Sequence, residues 1–516
     1  MEALIKRMKE VIRDPDLFRL FENSYPHTLD TTVKWRGFAK TKNETTGEET
    51  LTDEELAYVT TGDIDAMWLR DSASQVYSYL PLLEASKEPD SMASLWRGLI
   101  NSHSRYIVIS PYCHSFQPPP ESGINPTPNG ADKDNNPQSP YDPKLVFDCK
   151  WELDSLASFL QISAAYYTRT GDLDFFGKYS WVDAVQAAVD ASAAMRLGTY
   201  DEEGHVLPSA WTFTETLTNN SLGSPVKENG MVRSAFRPSD DACVFQLLTP
   251  SNMMFAAYLE QASDIMQGLA KGNVTAKAAN LTLDMRKLAK TIRYGIALDG
   301  VVSHRDFGDI FAYEVDGYGG ANLMDDADVP SLLAMPLWNY TTLAKPGPRM
   351  VKSWHTPRSN GTLPVSRGNG TVHAEDTATG ADADAEKKHD YAKIYQNTRK
   401  FALSMANPYF AKSPALSLGP GKGWSIAATV VALTAFEDLA GFTSPVKRDE
   451  VVAEQVGAVL NSTDGRGVIY EKAGTRPWFG RANGLFGELI VRIAEDEKAR
   501  GVQGTEGSLL GRSWQD

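Results

Sequence analysis

Asp240 and Asp241 stand side by side in the run Phe236-Arg237-Pro238-Ser239-Asp240-Asp241-Ala242. Adjacent carboxylates raise each other's cost of ionisation, so one of the two can hold a proton near neutral pH. A protonated carboxyl is a general acid for a leaving oxygen. Arg237 lies close enough in sequence to keep the other carboxylate ionised. The structural alternative is that Ser239-Asp240 caps a helix, and Asp325-Asp326 shows that paired aspartates alone are weak evidence. Glu471 follows the strand-like run Gly467-Val468-Ile469-Tyr470, far along the chain from Asp240 and Asp241, as expected for a second acid across a cavity. Its alternative is a solvated surface glutamate beside Lys472.

Around these acids lie further polar and aromatic motifs. Thr61 to Gln75 packs Asp63, Asp65, Trp68, Arg70 and Asp71 into one short stretch. Acids and an arginine fix hydroxyls by charge-assisted hydrogen bonds, and an indole offers a flat face to the C–H surface of a sugar. A buried Arg–Asp pair at a helix start is the competing reading. Trp151-Glu152-Leu153-Asp154-Ser155 is a second motif. Tyr313-Glu314-Val315-Asp316 to Asn322 and Asp325-Asp326 is a third, and Tyr470-Glu471 with Trp478 and Asn483 a fourth. With Asn252, just inside a predicted helix, these supply the candidate ligand-binding set: Asp63, Trp68, Arg70, Asp71, Trp151, Glu152, Asp154, Arg237, Ser239, Asn252, Glu314, Asp316, Asn322, Asp325, Trp478 and Asn483.

The motifs sit at or near the ends of predicted helices. Helical periodicity predicts helices over 2–12, 66–85, 90–109, 150–169, 173–196, 250–270, 275–296, 327–338, 389–405, 422–440, 448–460 and 477–498. Strand signals are weak, near 29–37, 205–215, 299–304 and 466–471. About a dozen helices joined by long loops predict helical hairpins closed into a toroid, an all-α fold with minor β-hairpins, in which one set of helix ends faces a common cavity. Residues 1–499 are read as one domain, although 516 residues exceed the usual domain size. Two insertions are expected, at 111–144, which could wall the site, and at 357–388, which is peripheral. The tail 500–516 is expected to fray.

A net charge of −15 argues against nucleic acid or an anionic membrane as partner. No apolar stretch is long enough to span a bilayer. No phosphate loop, HExxH, CxxC or GxSxG motif occurs, and the histidines lack ligand spacing, so neither a metal nor a cofactor is expected. The three cysteines are too few for a disulfide scaffold; one bridge, Cys113 to Cys149, is the plausible pairing, with Cys243 free. Eight Asn-X-Ser/Thr sequons (Asn43, Asn219, Asn273, Asn280, Asn339, Asn360, Asn369 and Asn461) exceed the roughly three expected by chance. They predict a secretory or extracellular location, any signal or anchor lying outside these residues; a cytosolic protein with accidental sequons is the alternative.

TGDIDAMWLRDS, KWELDSL, FRPSDDA with PSNM after it, YEVDGYGGANLMDDADVPSLL and the W-F-x-x-A-N-x-L-F-x-E-L-I pattern at 478–490 occur in this order. Together they resemble glycoside hydrolase family 125, exo-acting α-1,6-mannosidases, in a fungal-type form. The resemblance covers about 30–340 and 395–497. It implies a single (α/α)6 barrel and metal-free hydrolysis, with inversion, of non-reducing terminal α-1,6-linked mannose from oligosaccharides or glycans. It implies an aspartate of RPSDD as general acid, here Asp240 or Asp241, and Glu471 as general base. In the bacterial motif a histidine precedes that glutamate, whereas this chain has Tyr470. Inversion needs room for a water, so the two carboxyls should stand about 6.5–9.5 Å apart. The competing functions are an (α/α)6 glycosidase of other sugar or linkage specificity and a catalytically silent mannose-glycan-binding protein. A monomer is expected.

Overall fold

The computed structural model describes residues 1–43, 45–138, 140–214, 217–272, 277–340, 389–411, 416–419, 423–471 and 479–514. Trp478 and the predicted insertion at 357–388 lie outside the described residues. Twelve α-helices of nine residues or more occur among those described. They are α1 (Glu2–Val11), α2 (Pro15–Ser24), α3 (Leu69–Tyr77), α4 (Met92–Ile109), α5 (Leu153–Thr170), α6 (Trp181–Ala194), α7 (Thr249–Lys271), α8 (Ala278–Asp299), α9 (Tyr391–Ala402), α10 (Ser425–Thr434), α11 (Pro445–Asn461) and α12 (Gly480–Arg500).

Inner and outer helices alternate. α3 packs on α5, α5 on α7, α10 on α12, and α12 back on α3, so the last inner helix closes against the first. α4, α6, α8 and α11 lie outside them, α8 against α7 and α11 against α10. This is the expected (α/α)6 barrel, mostly helical and, among the described residues, without a closed sheet. Closure of α12 against α3 and the end of α2 depends on small residues. A Cβ at Gly480 would come 2.5 Å from Gln75 Oε1, one at Gly484 2.9 Å from Ser78 Oγ, and one at Gly487 2.1 Å from Tyr25 Cδ2. The three glycines lie on one helix face and let the backbones meet. The core is continuous, from Leu17 and Phe21 of α2 to Phe486 and Ile490 of α12.

The structure departs from the sequence expectations at several points. Residues 327–338 form only a 3-10 turn, Met335–Trp338, because Pro330 and Pro336 interrupt the run. The strand expected near 29–37 extends into a long antiparallel hairpin, β1 (Val33–Lys42) with β2 (Glu49–Val59), whose second arm is too acidic to read as a strand. No strand forms at 466–471. The tail is not frayed up to residue 514: Leu509 and Leu510 are buried, and the Glu497 carboxylate accepts hydrogen bonds from both their amides and from the Ser508 hydroxyl.

Two three-stranded antiparallel sheets bear on function. One joins Met67–Trp68, Ser115–Phe116 and Val146–Asp148, with 115–116 central. The other joins Leu247–Leu248, Glu314–Val315 and Ala321–Asn322, with 314–315 central. Each contains the strand that leads into an inner helix, α3 or α7. The Cys113–Cys149 disulfide closes beside the first sheet, and Cys243 is free and buried.

Candidate active site

The N-termini of α3 and α5 bring Arg70 and the Glu152-Leu153-Asp154 turn together. Arg70 Nη1 donates to Glu152 Oε2 at 2.5 Å and to Asp154 Oδ2 at 3.0 Å. Its Nε lies 3.6 Å from Asp71 and its Nη2 4.0 Å from Asp240 Oδ1. Arg70, Asp71, Glu152 and Asp154 are all buried. One guanidinium therefore faces four carboxyl groups, and such a set cannot be fully ionised in a dry interior. Burial raises the Glu152 carboxyl well above the usual range, Arg70 opposing and Asp240 and Asp154 adding to the rise. Burial likewise raises Asp71 against the pull of Arg70 and Arg481.

Asp240 differs from the others. Its backbone is left-handed, with φ +66°, an uncommon conformation for a non-glycine residue and one that aspartate tolerates better than most. The turn is closed by the Asp240 amide donating to the Arg237 carbonyl and the Arg237 amide donating to the Asp241 carbonyl. The Asp240 side chain keeps 45% of its surface accessible although it reaches the buried Arg70 cluster. That combination leaves it open to solvent above the buried cluster. Burial would raise its carboxyl, but Arg70 and then Lys150 outweigh it and hold Asp240 below the ordinary range. Lys150 Nζ stands 3.8 Å from Asp240 Oδ1.

His114 and Lys150 were not among the sequence candidates. Each directly follows a half-cystine, and the disulfide sets the two side by side. The Lys150 amide donates to His114 Nδ1 at 3.0 Å, and Trp68 stacks edge-on against His114. Burial and then the nearby Lys150 keep His114 neutral, well below its usual pKa. Ligand atoms of His114, Glu152 and Asp240 lie within 4.8 Å of one another, a spacing that a metal ion could use. Arg70 and Lys150 already place two positive charges against these groups, which disfavours a further cation there.

A second set of polar contacts lies beyond this cluster. Arg237 Nε donates to Glu314 Oε1 at 2.8 Å, and its Nη1 to the Tyr409 hydroxyl at 3.2 Å. Glu314 Oε2 accepts from the Val244 and Phe245 amides and from Asn322. Ser239 donates to Asp326 at 2.8 Å and approaches Asp241 at 3.3 Å. From α12, Arg481 pairs with Asp328 at 2.9 Å, and burial raises Asp328 to about 7 against Arg481 and Arg70. Asp63 is exposed and adds to the rise of Asp71. Glu471 is buried, and its carbonyl and that of Tyr470 accept from Ser425 at the N-terminus of α10. It therefore sits at the helix-start end of the barrel, as do Arg70 and Glu152.

Five candidates have framework partners. The Trp151 indole donates to the Arg233 carbonyl. Asn252 bonds the backbone of Val232 and Leu248. Asp316 closes its own turn through the Tyr318 and Gly320 amides. Asp325 accepts from the Leu332 and Leu333 amides, and burial raises it to about 8. Asn483 bonds Ile469 and Phe479, which fixes the segment entering Glu471.

Residues 14–491 match the family described as metal-independent alpha-mannosidase, GH125. The chain belongs to this family. It is 34% identical to the meiotically up-regulated gene 157 protein of Schizosaccharomyces pombe over 96% of this chain and 86% of that protein. Among solved structures it resembles a metal-independent α-mannosidase of Streptococcus pneumoniae in a non-productive complex with α-1,6-mannobiose. The TM-score is 0.67 and the identity 25%, over 95% of this chain and 97% of that one. A GH125 chain is a glycoside hydrolase, and the charged cluster described above is its candidate active site.

Proposed function

We propose that the protein is an exo-acting mannosidase that removes non-reducing terminal α-1,6-linked mannose with inversion. Asp240 serves as general acid and Glu471 as general base. The observation that carries the reading is the placement of Asp240, an accessible carboxyl held by a left-handed backbone over a buried ionic cluster. Asp241 is exposed, and its carboxylate meets Ser239 instead of Arg70 or Lys150. The pneumococcal relative's complex with α-1,6-mannobiose supports the linkage.

In this mechanism Asp240 delivers a proton to the glycosidic oxygen as the C1–O bond breaks. Glu471 takes a proton from the water that attacks C1 from the opposite face. Asp63, Asp71 and the ion pairs around Arg70 and Arg237 grip the hydroxyls of the terminal mannose. The five sequon asparagines within the described residues, Asn43, Asn219, Asn280, Asn339 and Asn461, are all exposed. Together with the Cys113–Cys149 bridge they support a secretory or extracellular location. Among the described residues no helix is long and apolar enough to cross a membrane.

Incubation with α-1,2-, α-1,3-, α-1,4- and α-1,6-mannobiose tests the specificity. Mannose release confined to the α-1,6 isomer is the expected result. Equal release from the α-1,2 or α-1,3 isomer would overturn the linkage, and binding without release from any isomer would favour a glycan-binding protein.

A further inference from the structure

Glu152 Oε2 is occupied by Arg70, while Oε1 is buried and meets no N–H or hydroxyl donor among the described residues. The Asp240 carboxyl lies beside it, an oxygen of each group within 4.8 Å of the other. Two carboxyl oxygens hydrogen-bond to each other only with one proton between them. The environments differ. Glu152 is 1% exposed, whereas Asp240 is open to solvent and faces Lys150 Nζ at 3.8 Å and Arg70 Nη2 at 4.0 Å. The low-dielectric side of the pair favours the neutral acid and the cation-facing side favours the anion.

We infer that Glu152 and Asp240 share one proton, stored on Glu152, and that Glu152 is the positioning residue that recharges Asp240 for proton delivery to the leaving oxygen. This deepens, and rests on, the assignment of Asp240 as general acid. The Glu152 proton passes to the Asp240 carboxylate, which delivers it to the glycosidic oxygen as the C1–O bond breaks, leaving both carboxyls ionised. The pair regains a proton from solvent after mannose and the shortened glycan leave. The charged and titratable groups facing Glu152 are Arg70 and Asp71 from α3, Asp154 from α5, Lys150 and His114 beside the disulfide, and Asp240 and Cys243 from the loop before α7. Burial raises Glu152, and Asp240 and Asp154 raise it further, so the pair should keep its proton above the pH range in which an ordinary carboxyl loses it.

The test compares pH profiles of kcat/KM for α-1,6-mannobiose and for 2,4-dinitrophenyl α-mannoside, whose leaving group needs no protonation. The wild-type protein should show a basic limb on mannobiose above the ordinary carboxylate range and none on the aryl mannoside. A wild-type limb on mannobiose near pH 4 would overturn the inference without any variant. In Glu152→Gln the hydrogen bonds to Arg70 and Asp240 can persist, but the proton must sit on Asp240 alone. The basic limb on mannobiose should then move toward acid by about one pH unit or more. The loss on mannobiose at pH 7 should exceed the loss on the aryl mannoside by about tenfold or more. An unmoved limb, or equal losses on the two substrates, would overturn the inference. Asp240→Asn separates the two proposals. If it hydrolyses mannobiose normally, the assignment of the acid itself fails. If it is inactive on mannobiose while Glu152→Gln keeps its limb, only the shared proton fails.

Discussion

Arg70 and Glu152 lie 82 residues apart in sequence, yet their side chains meet at 2.5 Å with both groups buried. The contact joins the start of α3 to the start of α5, and Asp154 and Asp240 converge on the same guanidinium. One arginine thus serves both the closure of the inner helices and the charge state of the accessible acid Asp240.

Removing this guanidinium should therefore cost both stability and activity. Arg70→Met leaves Glu152 and Asp154 buried without their cation. A loss of about 3–5 kcal/mol in urea unfolding is expected, with mannobiose hydrolysis abolished at pH 7. A variant as stable as the wild type would show that the carboxyl groups are neutral without Arg70.

The disulfide should act on the same site through its neighbours. Its 36-residue separation corresponds to roughly 4 kcal/mol of loop entropy. The double substitution Cys113→Ala with Cys149→Ala should lower the melting temperature. It should also lower kcat, because His114 and Lys150 lose the link that sets them against Asp240. A lower melting temperature with unchanged kcat would separate the bridge from the chemistry.

At the other end of α3 and α5 a cavity of about 420 Å³ is lined by residues that include Tyr77, Thr168, Arg169, Tyr258, Glu260 and Arg293, with none of the motif acids. Glu488 lies near Tyr77 and Tyr258, and burial raises its carboxyl from 4.5 to about 7, Arg492 opposing. A carboxyl whose pKa is raised by folding binds its proton more tightly when folded. Its contribution is full below pH 4.5 and is lost as pH rises through about 7. Glu488→Gln removes that loss, so its melting temperature should fall less than that of the wild type between pH 4.5 and 7.5. Parallel curves by differential scanning calorimetry would contradict the assignment.

Much of this was legible in the sequence where chemistry and periodicity agree. The apolar period of 150–169 marked α5, and Thr249-Pro250 marked the start of α7. Arg70, Glu152, Asp240 and Glu471 stood out as charges near helix starts. The long hairpin arm 49–59 did not, because Asp53, Glu54 and Glu55 obscure its alternation and its pairing with β1 is tertiary. His114 and Lys150 were hidden for a different reason. Alone each is ordinary, and only the pairing of Cys113 with Cys149 places them together. Asp325 and Asn483 suit a sugar site by residue type, and in the structure their hydrogen bonds go to nearby backbone, which no sequence pattern announces.

The most direct test of the account is proton NMR of the protein acting on α-1,6-mannobiose, following the anomeric signals of released mannose. The account predicts β-mannose first, then slow conversion to the α anomer, and no release by Asp240→Asn or Glu471→Gln variants that melt like the wild type. Release of α-mannose first, or full activity in Glu471→Gln, would contradict it.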